Sequence, residues 1–197
     1  MAKTVTSLRA AGPGRVAVEL DGERWRTLPL EAVISAGVEA GAPLDRARAR
    51  SLAQALRRVR AVRVASAALR TRARSARELE ERLEVHGVGA RERERTVGVF
   101  ASAGLVDDRR FAETRARALA ERGSGDELIR EDLERRGVAA EALDAAVTAL
   151  EPEHERAAAI VARRGPGPKT ARYLAARGFS EEAVALAVAR DGAEALE

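Results

Sequence analysis

Apolar and polar residues alternate one by one near the start of the chain, and after about thirty positions the apolar ones recur every third or fourth residue instead. RVAVEL (Arg15–Leu20) and RWRTL (Arg24–Leu28) carry the two-residue period of strands with one buried face. Asp21-Gly22 between them offers the pair of positive-φ residues that a two-residue hairpin turn needs. A shorter strand at Thr4–Leu8 is predicted beside them, and so small a sheet must lean on helices to be stable. Beyond Pro29, Leu30, Val33, Ile34 and Val38 follow helical spacing until Gly41-Ala42-Pro43 breaks it. Asp45 then stands where an N-cap belongs, ahead of a long helix on which Leu52, Leu56, Val59, Val62 and Leu69 fall close to one stripe.

From here the pattern repeats. Gly87, Gly137 and Gly178 are each followed by an apolar residue: Val88, Val138 and Phe179. Four positions earlier stand Leu83, Leu133 and Leu174, and at fifteen Arg72, Arg122 and Arg163. Eighteen before the glycines come Leu69, Leu119 and Ile160, and ten after them Val97, Val147 and Val188. The register predicts a three-helix unit used three times, each glycine ending a middle helix in the left-handed conformation. Ser75…Glu78 and Ser124…Glu127 have capping-box spacing at the start of that helix, and in the third unit GPGPKT (165–170) places prolines there instead. Asp108 is the expected N-cap of a helix over 109–119.

The expected layout is a hairpin-plus-helix subdomain over 1–44 and a basic helical segment over 45–75. Three repeats follow at 60–104, 105–150 and 151–190, and a tail at 191–197. The fold class is mostly α: tandem three-helix repeats forming an elongated curved solenoid, behind a small N-terminal sheet.

Composition agrees. Hydrophobic residues make up 46% of the 197, enough for a core, and much of that share is alanine, while aromatics are only 3%. Such small side chains suit close-packed helices. With no cysteine there is neither a disulfide framework nor a thiolate metal site. The N-terminus lacks a signal-peptide apolar run and no stretch is long enough to span a membrane, so a soluble, cytoplasmic protein is expected, acting as a monomer.

Charge changes the picture more. The net charge is only +4, yet residues 46–74 hold ten arginines and no acidic residue. Codon bias accounts for arginine over lysine, but not for the clustering. Solvated helices usually interleave both signs, because like charges four residues apart repel. The run therefore points to an external polyanion or an acidic protein surface. Arg57, Arg58, Arg60, Arg63, Arg70, Arg72 and Arg74, lying largely off the apolar stripe, are the candidate contacts.

Other candidate chemistry is weak. GPGPKT resembles the end of a phosphate-binding loop, but Pro168 removes an amide that such a loop needs. Asp107-Asp108 lacks the further ligands of a cation site, and a cap explains it better. His86 and His154 fall in different repeats, with no nucleophile and orienting acid beside either. No cofactor, metal or catalytic residue is expected. The basic helix carries no aromatic residue, so nucleic-acid contact there would be to phosphates and indifferent to sequence.

Several stretches together resemble the RecX family of recombination regulators. They are Arg72-Ala-Arg74-Ser75-Ala-Arg-Glu78-Leu79, Gly104-Leu105-Val106-Asp107-Asp108-Arg-Arg-Phe111-Ala112, Arg122-Gly123 ahead of Ile129-Arg130, and Tyr173-Leu174-Ala-Ala-Arg177-Gly178-Phe179-Ser180. The likeness covers roughly residues 60–190. It departs from the family pattern at Ala73, where proline is usual, and at Glu92 and Arg93, where apolar residues are usual. The resemblance implies a non-enzymatic regulator that binds the RecA recombinase and its filament on DNA. It would restrain filament growth, ATP hydrolysis, strand exchange and coprotease activity. By position in the repeats, Arg72, Arg74, Arg122, Arg130, Arg163, Lys169, Arg172 and Arg177 are expected supporting contacts. A stand-alone, sequence-independent DNA-binding module is the alternative, and a scaffold for an unrelated protein partner a third reading.

Overall fold

The structure is a computed structural model that describes residues 2–194. The chain forms two compact units, one made of the chain up to Arg72 with Glu80–Phe100, the other of Ala73–Leu79 with the chain from Ala101 on.

The first unit opens with the predicted hairpin. Strands β1 (Lys3–Ala10), β2 (Arg15–Leu20) and β3 (Glu23–Pro29) pair antiparallel, and a two-residue β4 (Pro43–Leu44) completes a sheet of order β3-β2-β1-β4. β4 is not foreseen by pattern, since Gly41-Ala42-Pro43 reads only as an interruption; Pro43 and Leu44 pair with Thr4 and Lys3. Asp21 and Gly22 take φ of 52° and 83°, and the Asp21 carboxylate accepts from the Thr4 amide at 2.8 Å, tying the turn to β1. β3 carries a bulge: Val18 faces Arg26 and Glu19 faces Arg24, which leaves Trp25 as the extra residue.

The inner face of the sheet, Val5, Val16, Val18, Leu20 and Leu28, closes on Ala32 and Val33 of α1 (Leu30–Ser35) and on Leu52, Ala55 and Val59 of α2 (Arg46–Thr71). Each of the valines and leucines contributes about 1.5–3 kcal/mol on burial, which supplies what the small sheet lacks by itself. Asp45 caps α2 as expected, accepting from the Arg48 amide at 2.8 Å. The single apolar stripe expected on α2 is not what forms. Val62 is 39% exposed, and buried alanines at 61, 65 and 68 take over in the second half. At about 100° per residue these alanines lie roughly 140° around the axis from Leu52, Ala55 and Val59. The helix thus buries one face early and another late.

α2 leads the first repeat, followed by α3 (Ala76–Val85) and α4 (Ala90–Ser102). The second repeat is α5 (Asp108–Glu121), α6 (Asp126–Arg135) and α7 (Ala140–Thr148); the third is α8 (Glu153–Arg164), α9 (Pro168–Ala176) and α10 (Glu181–Glu194). The middle helices end identically. Gly87, Gly137 and Gly178 have φ of 71–77°, and the amides of Val88, Val138 and Phe179 reach back to the carbonyls of Leu83, Leu133 and Leu174. Those three leucines are fully buried. Of the tail set apart at 191–197, the part to Glu194 continues α10 and residues 195–197 lie outside the described residues.

Two capping expectations need correction. Ser75 does cap α3, accepting from the Glu78 amide at 3.1 Å. In the second repeat, however, the N-cap is Gly125, one residue beyond Ser124, with no side-chain cap. A Cβ there would stand 2.1 Å from the Gly178 carbonyl oxygen, so close approach of another backbone displaces the serine. Likewise Asp107, not Asp108, caps α5 by accepting from the Arg110 amide. Asp108 instead accepts from the Ala76 amide at 2.8 Å, closing the N-terminus of α3.

Candidate functional site

Three of the predicted arginines converge. Arg57, Arg58 and Arg60 of α2 line an open hollow of about 840 Å³ whose far wall is the loop Gly87–Gly89 and the first turns of α4. Arg91 and Arg95 enter it from α4 together with Glu92 and Glu94, and Gln54 completes the α2 side. The two α4 arginines were missed because ARERERTV reads as a charge-alternating helix with a net charge of only +1. Their four-residue spacing, which puts both on one face, was the available signal. The Arg60 guanidinium also donates to the His86 carbonyl at the end of α3, which fixes the hollow's width.

The charged start of α4 is accommodated by pairing. The Arg93 side chain, 17% exposed, lies 3.5 Å from Glu80 and 3.3 Å from Glu84 and donates to the Val88 carbonyl.

The remaining predicted residues do not join this hollow. Arg63 points elsewhere, beside Leu30 and the 68%-exposed Ile34 in a shallow apolar depression. Arg70 is exposed on the last turn of α2; Arg72, its C-cap, is exposed, and Arg74 is half-buried. In the second unit Arg122 is exposed at the end of α5, and Lys169 and Arg172 are exposed on α9. Arg163 shares a smaller hollow, about 290 Å³, with Arg117, Glu121 and Glu151 over Ile160 and Phe179. Arg130 pairs with Asp144, and Arg177 donates to the carbonyls of Gly123 and Arg122, so both are committed to internal contacts.

A second set of charges holds the repeats together. Asp132 of α6 accepts from Arg115 of α5 at 2.8 and 3.0 Å and from Arg136 at 2.8 Å, and Arg136 also pairs with Glu78. Hydrogen bonds from Arg115 above all, against the opposing effect of burial, hold the Asp132 carboxyl well below the usual carboxylate range. Asp126 is shifted the other way: burial raises it, although Arg156 beside it pulls down. Among the described residues no group of three or more His, Cys, Asp or Glu is placed to hold a metal ion, and no helix is long and apolar enough to cross a membrane.

A small antiparallel sheet followed by tandem three-helix repeats, each closed by the same glycine turn, defines an α-helical repeat protein. Residues 107–147, the second repeat with its cap, match the family profile described as "RecX, second three-helix domain". The chain is 35% identical over 121 residues to the regulatory protein RecX of Chromohalobacter salexigens, a match covering 57% of this chain and 80% of that one. It is 32% identical over 139 residues to the regulatory protein RecX of Halorhodospira halophila, covering 64% and 86%. Two crystal structures share the fold. One, of a regulatory protein RecX, has a TM-score of 0.78 at 19% identity over 92% of this chain and 96% of that one. The other, of RecX from Lactobacillus salivarius, has a TM-score of 0.62 at 15% identity over 69% and 97%. The chain belongs to the RecX family.

Proposed function

We propose that this protein binds the RecA recombinase and its nucleoprotein filament as a cytoplasmic, non-enzymatic regulator. Its effect is to restrain filament growth and the ATP hydrolysis, strand exchange and coprotease activity that depend on the filament. Family membership supplies the regulatory role, and the hollow formed by Arg57, Arg58, Arg60, Arg91 and Arg95 carries the contact. Five guanidiniums against Glu92 and Glu94 favour an anionic partner, either DNA phosphates or an acidic recombinase surface. Arg63, Arg70, Arg72, Arg74, Arg122, Arg163, Lys169 and Arg172 act as outlying contacts.

The test is the steady-state ATPase of the cognate recombinase on single-stranded DNA, with this protein well below stoichiometric amounts and free DNA as competitor. Suppression that free DNA does not relieve is the expected result. Suppression only at coating concentrations would overturn the filament reading in favour of the stand-alone DNA-binding module, which the exposed arginines also favour.

A further inference from the structure

We infer that Trp25 is a base-stacking contact for single-stranded DNA, with Arg24 and Arg26 beside it for the flanking phosphates. Tryptophan usually spends its large apolar surface inside a fold. Here it is the extra residue of a bulge on edge strand β3 and stays 38% exposed. Bulges re-aim side chains, and this one sets the indole outside the sheet's pairing. Arg24 and Arg26 are both exposed and ion-pair with none of the described residues, and the Arg26 guanidinium lies 5.4 Å from the indole centroid. An aromatic face with cations on either side is what sequence-tolerant single-strand binding uses, the ring taking a base and the cations the backbone.

The charge around it agrees. Arg15 stands exposed on the adjoining β2 and donates to the Thr27 carbonyl of β3 at 3.0 Å, and Arg9 stands exposed on β1 beyond it. The nearby acids are Glu19, Glu23 and Asp21, of which Asp21 is engaged with the Thr4 amide. The site differs in kind from the arginine hollow, which has no aromatic residue and cannot sense bases. The choice of DNA over RNA rests on the filament reading.

Trp25 is the only tryptophan in the sequence, so its fluorescence reports this site alone. The full chain is titrated with oligothymidylate and with inorganic polyphosphate at one salt concentration. Binding of a labelled oligothymidylate is followed by anisotropy for the native protein, Trp25→Ala and Trp25→Phe. The oligonucleotide should quench and blue- or red-shift the emission while polyphosphate leaves it unchanged. Trp25→Ala should bind roughly 5- to 100-fold more weakly, and Trp25→Phe within a few-fold of native. Anisotropy showing binding without quenching, equal quenching by polyphosphate, or native affinity in Trp25→Ala would overturn the inference. If Trp25→Ala fails to melt like the native protein, quenching and Trp25→Phe decide. Recombinase ATPase is measured apart, so a failed quench leaves the filament reading standing and a failed ATPase suppression leaves the stacking result standing.

Discussion

Asp132 carries three guanidiniums on one carboxylate, Arg115 and Arg136 at 2.8 Å and Arg135 at 3.5 Å, and its protonation is coupled to folding. Because its folded pKa lies below the unfolded one, its stabilisation is complete above about pH 4, the unfolded aspartate value, and drains away as pH falls toward the folded value. Asp132→Asn should therefore cost about 2–3 kcal/mol at neutral pH by chemical denaturation. The gap to the native protein should narrow as the pH is lowered below about 4. Gly125→Ala is a harsher change at a residue of ordinary helix-cap φ (−77°), because its Cβ meets the Gly178 carbonyl at 2.1 Å. It should lower stability by about 3 kcal/mol or more in a thermal melt. Neither residue was legible in advance. A glycine before an aspartate reads as flexible loop, and Ser124 offered a better cap by local rules; only a backbone arriving from the third repeat decides against it.

At the scale of elements, the glycine-ended middle helices were plain in the sequence because their turn is local: six residues, as in Leu83 to Val88, hold all of its hydrogen bonds. The strands and their Asp-Gly turn were legible for the same reason. The orientation of α2 was not. Its second half buries alanines, which mark a face faintly, while the larger Val62 faces out. Ala65→Leu should accordingly cost about 1–3 kcal/mol through overpacking, whereas Val62→Ala should stay within about 0.5 kcal/mol; urea titrations of the two distinguish them. The same turn of the buried face splits the arginine run, sending Arg57, Arg58 and Arg60 to the hollow and Arg63 to α1's side.

For the molecule as a whole, a net charge of +4 understates how it meets a polyanion, since ten of its arginines fall in the acid-free run over 46–74 while acids such as Asp132 and Asp144 are spent in internal pairs. Clustering, not net charge, sets the field. Arg57→Glu with Arg91→Glu should abolish substoichiometric ATPase suppression without moving the melting temperature by more than a few degrees. The double variant should also flatten the salt dependence of DNA binding by about two counterions or more. That the basic run mattered was visible in the sequence; that α4 completes it was not, because the partners lie over thirty residues away.

One feature of the fold also bears on how the protein is made. Ser75, the cap of α3, donates its hydroxyl to the Arg136 carbonyl at the end of α6, and the Gly125 amide at the start of α6 donates to the Arg177 carbonyl at the end of α9. Both contacts thus wait for a residue translated more than fifty positions later. A ribosome emitting this chain releases the second repeat before its acceptor exists. Its N-terminal amides stay hydrated until the third repeat clears the exit tunnel, so a chain stopped near residue 150 would leave the second repeat open to proteolysis.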